Sequence, residues 1–360
     1  MKRLLKQAVF IGLISFALLC PANAAVFVRG QAPHRYYHQT IGAGQAKPAA
    51  APARWLGLIG EYGPDTGILY ILEQNGKLCA LFKGSNIECL EEISKNTFKF
   101  PVQGAHAAQL IVFSRDAKGR APLAKIEIAE YTRRHVEPEG GASQLHVEPL
   151  RPVKELLKEA RAAEPPKESG EFRPTDLVEL KTLMPTIKLD IRYATTNNLF
   201  GTVFYSEPRA FMQRTAAESL DRVNRKLKPL GYGLLVHDAY RPWYVTKVFW
   251  DATPDDKKIF VADPSKGSRH NRGAAVDLTL YYLKTGKPVE MVSTYDETTD
   301  RAYPNYPGGT SLQRLHRQLL RNAMESEGFT VYEAEWWHFD YKDWQKYTIG
   351  NLPFDRIGIN

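Results

Sequence analysis

The sequence predicts an α+β protein, with a small β-rich domain ahead of a larger compact unit of strands and helices. Three observations carry that prediction. Short apolar runs broken by turn residues fill 54–133. From about residue 176 onward, helical spacing and strand-like alternation follow one another. The composition, 43% hydrophobic and 24% charged, is that of a globular chain. At about 100–200 residues per domain, 360 residues suit two domains plus additional segments. The 26 Gly and 23 Pro have no period, which excludes collagen-like and coiled-coil architectures.

Residues 1–24 read as a secretory signal peptide. Lys2, Arg3 and Lys6 make a basic start, Ala8 to Cys20 is apolar, and Ala22-Asn23-Ala24 is a small-residue cleavage signal. Leu19 before Cys20 stands where lipoprotein processing wants a small residue. Removal of these 24 residues and their three cations leaves 336 residues at a formal charge of +5. No later apolar run reaches the roughly 18 residues that span a bilayer, so no transmembrane segment is expected after signal removal. The expected location is the periplasm. The basic residues are spread among acids with no basic stripe, so nucleic acid is not an expected partner.

Residues 25–53, rich in Ala, Pro and Gln, predict a linker. In 54–133, LGLIGEY, ILYILEQ and LCALF read as strands, with Asn75-Gly76 as a hairpin turn; AQLIVFSRD and AKIEIAEY flank a Lys118-Gly119 turn. Cys79 and Cys89, ten residues apart in a secreted chain, are expected to form a disulfide, with two buried thiols as the alternative. Nothing in this region has catalytic spacing, and binding or positioning is the expected role. Residues 134–175 are a charged connector with a short helix at Val153–Ala163.

In 176–360, LVELKTL and IKLDIRYA read as strand-like pieces. Ala216–Lys228 is a helix, with Leu220, Val223 and Leu227 at helical spacing. GYGLLVHDAY is a buried strand running into an Arg-Pro turn, and AAVDLTLYYL alternates as a strand does. SLQRLHRQLLRNAMESEG is an amphipathic helix ended by Gly328, with His316 on its exposed side. FTVYEAEWWHFDY is the final strand.

Two segments carry chemistry. In SRHNRGAAVDLTL, His270 and Asp277 lie seven apart, with Gly273 permitting a tight backbone path between them. Asp277 sits in an apolar strand, where a carboxylate is costly unless paired or metal-bound. In EWWHFDY, His338 supplies a third ligand, and the flanking aromatics limit water. Two His and one carboxylate leave a position open on zinc, the arrangement of catalytic rather than structural sites. Glu335, three residues before His338, is then placed to take a proton from water and return it to a departing amine. Taken singly, such a histidine is more often a packed core residue than a ligand, and such a carboxylate is usually structural; the conjunction points to a site.

VHDAYRP adds Arg241 at a strand end, where a fixed guanidinium would stabilise an oxyanion. Asp238 is placed either to orient Arg241 or to receive a substrate ammonium, and a purely structural Asp–Arg pair is the plainer alternative. His237 reads as a packed strand histidine, or as a group behind the site. Tyr193 reads as core or pocket wall.

Together SRHNRGAAVDLTL, EWWHFDY, the D-x-x-R-P of HDAYRP and DIRYATTNNLFG (190–201) resemble the D-alanyl-D-alanine dipeptidase family, zinc enzymes of the vancomycin-resistance type. They belong to a superfamily that includes zinc D,D-carboxypeptidases and hedgehog-like domains. The likeness covers about 175–348. It implies a catalytic domain over 176–360 with a mostly antiparallel sheet and flanking helices. It implies one zinc ion per chain on His270, Asp277 and His338, Glu335 as base and acid, and Arg241 as transition-state stabiliser. Ser268 and Asp238 match positions around the substrate. The implied reaction is hydrolysis of free D-Ala-D-Ala, in cell-wall peptide turnover. The rival readings are a D,D-carboxypeptidase acting on peptidoglycan stems and a noncatalytic wall-binding protein. Secretion and the β-rich segment depart from many relatives, which are shorter and cytoplasmic. The sequence leaves oligomeric state open.

Overall fold

The computed structural model describes residues 47–135 and 147–358. The expected signal peptide at 1–24, most of the expected linker and part of the connector lie outside the described residues. No helix among the described residues is long and apolar enough to cross a membrane.

A short helical turn, α1 (Ala53–Leu56), leads into a four-stranded antiparallel sheet: β1 (Gly60–Tyr62), β2 (Leu69–Gln74), β3 (Lys77–Phe82) and β4 (Glu88–Cys89), in that order. Asn75 and Gly76, with φ of 51° and 78°, make the β2–β3 hairpin turn that their sequence predicts. Cys79 and Cys89 are register partners across β3 and β4 and are joined as a disulfide. A five-stranded antiparallel meander follows: β5 (Glu91–Ser94), β6 (Thr97–Lys99), β7 (Leu110–Ser114), β8 (Leu123–Ile126) and β9 (Ala129–Thr132).

The continuous apolar run on β2 has a physical cause, because β2 and β3 are buried on both faces. Leu69, Ile71, Leu78 and Ala80 join Phe98, Ile111 and Phe113 in a core between the two sheets. Ile68, Tyr70, Leu72, Cys79 and Leu81 point the other way, into the core of the C-terminal part. The β-rich segment and the C-terminal part therefore belong to one compact unit.

The connector carries α2 (Val153–Ala162), which packs on α5 (Trp243–Ala252), the helix that follows Arg241. LVELKTL is a strand only over β10 (Leu177–Glu179), paired with β12 (Phe211–Gln213); its second half is the helical turn α3 (Leu180–Leu183). IKLDIRYA contributes the two-residue β11 (Lys188–Leu189) and then a 3-10 turn at Arg192–Ala194. The helix around 216–228 is α4 (Arg214–Leu227). Its Leu220, Val223 and Leu227 are fully buried, and such side chains contribute about 1.5–3 kcal/mol each.

The main sheet has the order β11–β13–β14–β16–β15, where β13 is Tyr232–Asp238, β14 is Ala275–Tyr282, β15 is Phe329–Tyr332 and β16 is Glu335–Tyr341. Every pairing is antiparallel except β11 with β13. FTVYEAEWWHFDY is thus two strands, not one: Glu333-Ala334 turns the chain back, so that β15 pairs with β16. Val236, Val276, Leu278 and Phe339 share a core with Leu220 and Val223 of α4 and with Leu320 and Met324 of α6 (Ser311–Glu325). The alternate residues of the strands, Asp277 and His338 among them, face the opposite side.

His316 on α6 is not exposed, contrary to its sequence reading. It is fully buried, at four-residue spacing with Leu320 and Met324, and its Nε2 meets the hydroxyls of Tyr232 and Tyr282 at 3.2 and 3.3 Å.

Candidate metal centre

Three neighbouring strands bring the polar residues of three distant motifs into one row. Asp277 on β14 is the register partner of His338 on β16 and of Asp238 on β13. The β13–β14 register slips between Val236 and Asp238, which turns Asp238 onto the same side. His270 comes from the 3-10 turn His270–Arg272 that enters β14. That turn ends at Gly273, where φ is +64° and an added Cβ would lie 2.5 Å from Leu177 Cδ2. Only glycine satisfies both the backbone and the space.

His270, Asp277 and His338 are all buried, and among the described residues they form a group that could hold a metal ion. His270 Nε2 lies 3.3 Å from Asp277 Oδ1, His338 Nδ1 lies 3.0 Å from the same oxygen, and the two nitrogens are 3.1 Å apart. Ligands at about 2.0–2.1 Å in a tetrahedron are separated by about 3.3 Å, so the triangle has the dimensions of one coordination sphere.

The proton placement gives the same answer. His270 Nδ1 faces the Ala239 carbonyl at 2.7 Å and must donate to it. His338 Nε2 faces Asp340 Oδ1 at 2.9 Å. In neutral rings, each remaining nitrogen then offers a lone pair to the centre of the triangle. Asp277 Oδ1, also aimed there, accepts no hydrogen bond of ordinary geometry among the described residues. Two lone pairs and a carboxylate oxygen converging in a buried space call for a cation. Without a metal, that cation is a proton. Burial alone would lower His338, but the Asp277 and Asp340 carboxylates outweigh it and push its pKa up to about 10. Burial alone would likewise raise Asp277, but the two imidazoles hold it well below the usual carboxylate range.

Glu335 stands at the open side, with 29% of its side chain exposed and Oε2 3.9 Å from His338 Nδ1. A separation of three residues on a regular strand would put the two on opposite faces. The β15–β16 pairing shifts between Val331 and Tyr332, beside Glu335, and the irregularity re-aims its side chain. Burial pushes the Glu335 carboxyl up; His338 opposes and the Asp277 charge adds to the shift.

Arg241 lies under the site, its guanidinium against the rings of Tyr193 and Phe249 at 5.1 and 5.0 Å. Its Nε donates to Asp238 Oδ2 at 2.9 Å, and Nη2 lies 2.7 Å from the same oxygen and 3.9 Å from Asp277 Oδ2. Asp238 Oδ1 accepts from Tyr205 at 2.7 Å. The structure therefore places Asp238 as a partner of Arg241, with both of its oxygens engaged. The Ser268 hydroxyl accepts the His270 N–H at 3.2 Å, bracing the turn that carries that histidine.

Three residues around the site had no signal in the sequence. Tyr205 holds Asp238. Tyr295 donates to Asp277 Oδ2 at 3.0 Å, and its ring stacks on His237 at 4.7 Å. Asp296 is held at φ +59° and accepts the Tyr193 hydroxyl at 3.0 Å. Burial, with the Asp277 and Glu335 charges adding, pushes its pKa up to about 8. His237 is buried behind this wall, and Tyr193 serves both as core and as support of the site.

A family model described as D-ala-D-ala dipeptidase matches residues 173–349, which span all of these side chains. A D-alanyl-D-alanine dipeptidase of Escherichia coli (strain K12) is 31% identical over 175 residues, covering 49% of this chain and 89% of that protein. One from Enterococcus faecium is 34% identical over 182 residues, covering 46% of this chain and 90% of that protein. A solved structure of the LdcB LD-carboxypeptidase is 20% identical, covers 51% of this chain and 72% of its own, and has a TM-score of 0.28, too slight a likeness to bear on the fold.

Proposed function

The chain belongs to the D-Ala-D-Ala dipeptidase family of metallopeptidases, and from that premise we propose that it hydrolyses free D-alanyl-D-alanine to two D-alanines with one zinc ion held by His270, Asp277 and His338. The observation that carries the reading is the convergence of His270 Nε2, Asp277 Oδ1 and His338 Nδ1 within 3.0–3.3 Å of one another. Two imidazoles and a carboxylate suit zinc among the divalent ions. Zinc bound there supplies Lewis-acid polarisation of the attacking water and of the scissile carbonyl.

The protein's own groups do the rest. Glu335 accepts the proton of the attacking water at its carboxylate and returns it to the leaving nitrogen. Burial raises its pKa against the opposing His338, the direction that suits a group that must both take and give a proton. Arg241 donates to the developing oxyanion. Asp238 and the flanking rings hold the guanidinium in place beforehand, so little is reorganised during reaction.

Both Asp238 oxygens are engaged by Arg241 and Tyr205, so the substrate ammonium is assigned to Asp296, whose carboxylate accepts the Tyr193 hydroxyl and feels the Asp277 and Glu335 charges. A cation there would return Asp296 to its ionised form. This favours a free dipeptide over an acylated stem peptide. The test is hydrolysis of D-Ala-D-Ala beside N-acetyl-D-Ala-D-Ala. Cleavage of the free dipeptide alone supports the proposal, and comparable cleavage of the acylated substrate makes the protein a carboxypeptidase.

The proposed setting is the periplasm, in turnover of cell-wall peptides. The signal-like residues 1–24 and the Cys79–Cys89 disulfide support it, since disulfides persist in oxidising compartments. Fractionation of producing cells, with the N-terminal sequence of the exported chain, tests the placement.

A further inference from the structure

Two residues beyond His338 stands a carboxylate that no part of the reaction uses. Residues i and i+2 of a strand share a face, so Asp340 lies beside His338 on β16. Its Oδ1 is 2.9 Å from His338 Nε2, and its Oδ2 is 3.0 Å from Arg269 Nε. Arg269 immediately precedes His270, and its guanidinium lies 5.0 Å from the Trp344 ring and 6.0 Å from that of Tyr332. One carboxylate therefore touches one histidine of the metal triangle and the segment that carries the other.

We propose that Asp340 is a positioning residue that sets the tautomer and ring orientation of His338 for metal binding, with Arg269 fixing the carboxylate in turn. The inference rests on reading His270, Asp277 and His338 as a metal centre. An acceptor opposite Nε2 keeps the ring hydrogen on that nitrogen, which leaves Nδ1 as a lone pair aimed at Asp277 Oδ1 and His270 Nε2. Such a partner also makes the ligating nitrogen a stronger donor. The pair to Arg269 limits rotation of Asp340, whose side chain is 14% exposed. His270 obtains the equivalent support from the Ala239 carbonyl. Asp340 thus completes a set in which each imidazole is held through the nitrogen away from the metal.

The experiment measures the zinc affinity of the full chain by competition with a chromophoric chelator, for the parent, Asp340→Ala and Asp340→Asn. Thermal unfolding of the metal-free proteins runs alongside. Loss of a partner of this kind weakens metal binding by about 10- to 100-fold, which is the expectation for Asp340→Ala. Asp340→Asn keeps an acceptor oxygen and should recover most of the loss while remaining measurably weaker than the parent. The Co2+ absorption spectrum of Asp340→Ala should also change, because the His338 ring is freed. A role confined to stability would lower the unfolding temperature and leave affinity and spectrum unchanged. That result in a folded Asp340→Ala overturns the proposal; if this variant does not fold, parent-like affinity in Asp340→Asn overturns it. A parent chain that binds no zinc overturns the metal reading itself and this inference with it.

Discussion

Asp277 and His338 face each other across the antiparallel pairing of β14 with β16, and Asp277 Oδ1 lies 3.0 Å from His338 Nδ1. Sheet register, rather than a loop, therefore fixes the separation of two of the three proposed ligands. His338→Ala and His270→Ala should each abolish stoichiometric zinc binding, as read by metal analysis after dialysis, while the sheet and its core persist in the far-UV spectrum.

Glu335 makes the opposite prediction. It contributes no ligand to the triangle, so Glu335→Ala should retain zinc and lose turnover, by about 10²- to 10⁴-fold for a general acid–base group. Metal content and kcat measured on one preparation check this; loss of zinc together with activity would assign Glu335 to the ligand set.

Arg241 acts on the transition state in this account. Arg241→Ala should lower kcat by about 10²- to 10³-fold, the scale of losing an oxyanion donor, with a smaller change in KM. Arg241→Lys should recover little, because an ammonium cannot reproduce the Nε and Nη2 contacts to Asp238 while also reaching substrate.

Glu73 tests the attachment of the β-rich segment. Its carboxylate is buried, and its Oε2 accepts the Ser311 N–H at 2.7 Å at the start of α6. Arg314 donates to the Glu73 carbonyl at 2.6 Å. Glu73→Ala leaves a buried donor unpaired and should cost about 1–3 kcal/mol in urea unfolding, with Glu73→Gln costing less.

His316 sets a pH dependence of stability. Burial lowers its pKa from 6.5 to about 4. Between those values the unfolded chain binds a proton that the folded chain does not, so stability falls as pH drops from 6.5 and the loss levels off near 4. His316→Phe should flatten that part of a urea-midpoint profile, although deletion of the tyrosine contacts will lower its absolute stability.

The strands and helices that carry a clear period were legible in the sequence: the Asn75-Gly76 hairpin, α4, β13 and β14. The errors differ in cause. Glu333-Ala334 contains no glycine, proline or asparagine, so the turn between β15 and β16 was invisible and the two strands read as one. His316 read as exposed because a histidine is polar, although its spacing to Leu320 and Met324 placed it on the buried face.

The site divides in the same way. His270, Asp277, Glu335 and His338 stand in two short segments whose apolar frames make ionisable residues conspicuous. Asp296 and Tyr295 lie in the polar stretch STYDE, and only the fold turns them toward Asp277. Asp340 was equally silent, since its meaning depends on which nitrogen of His338 faces the triangle.

The most direct measurement is D-Ala-D-Ala hydrolysis by the purified chain with its metal content counted, before chelation, after chelation and after zinc is restored. The account predicts one zinc per chain, with activity lost on chelation and regained with zinc. Undiminished hydrolysis by a demonstrably metal-free chain, or no hydrolysis with one zinc bound, would contradict it.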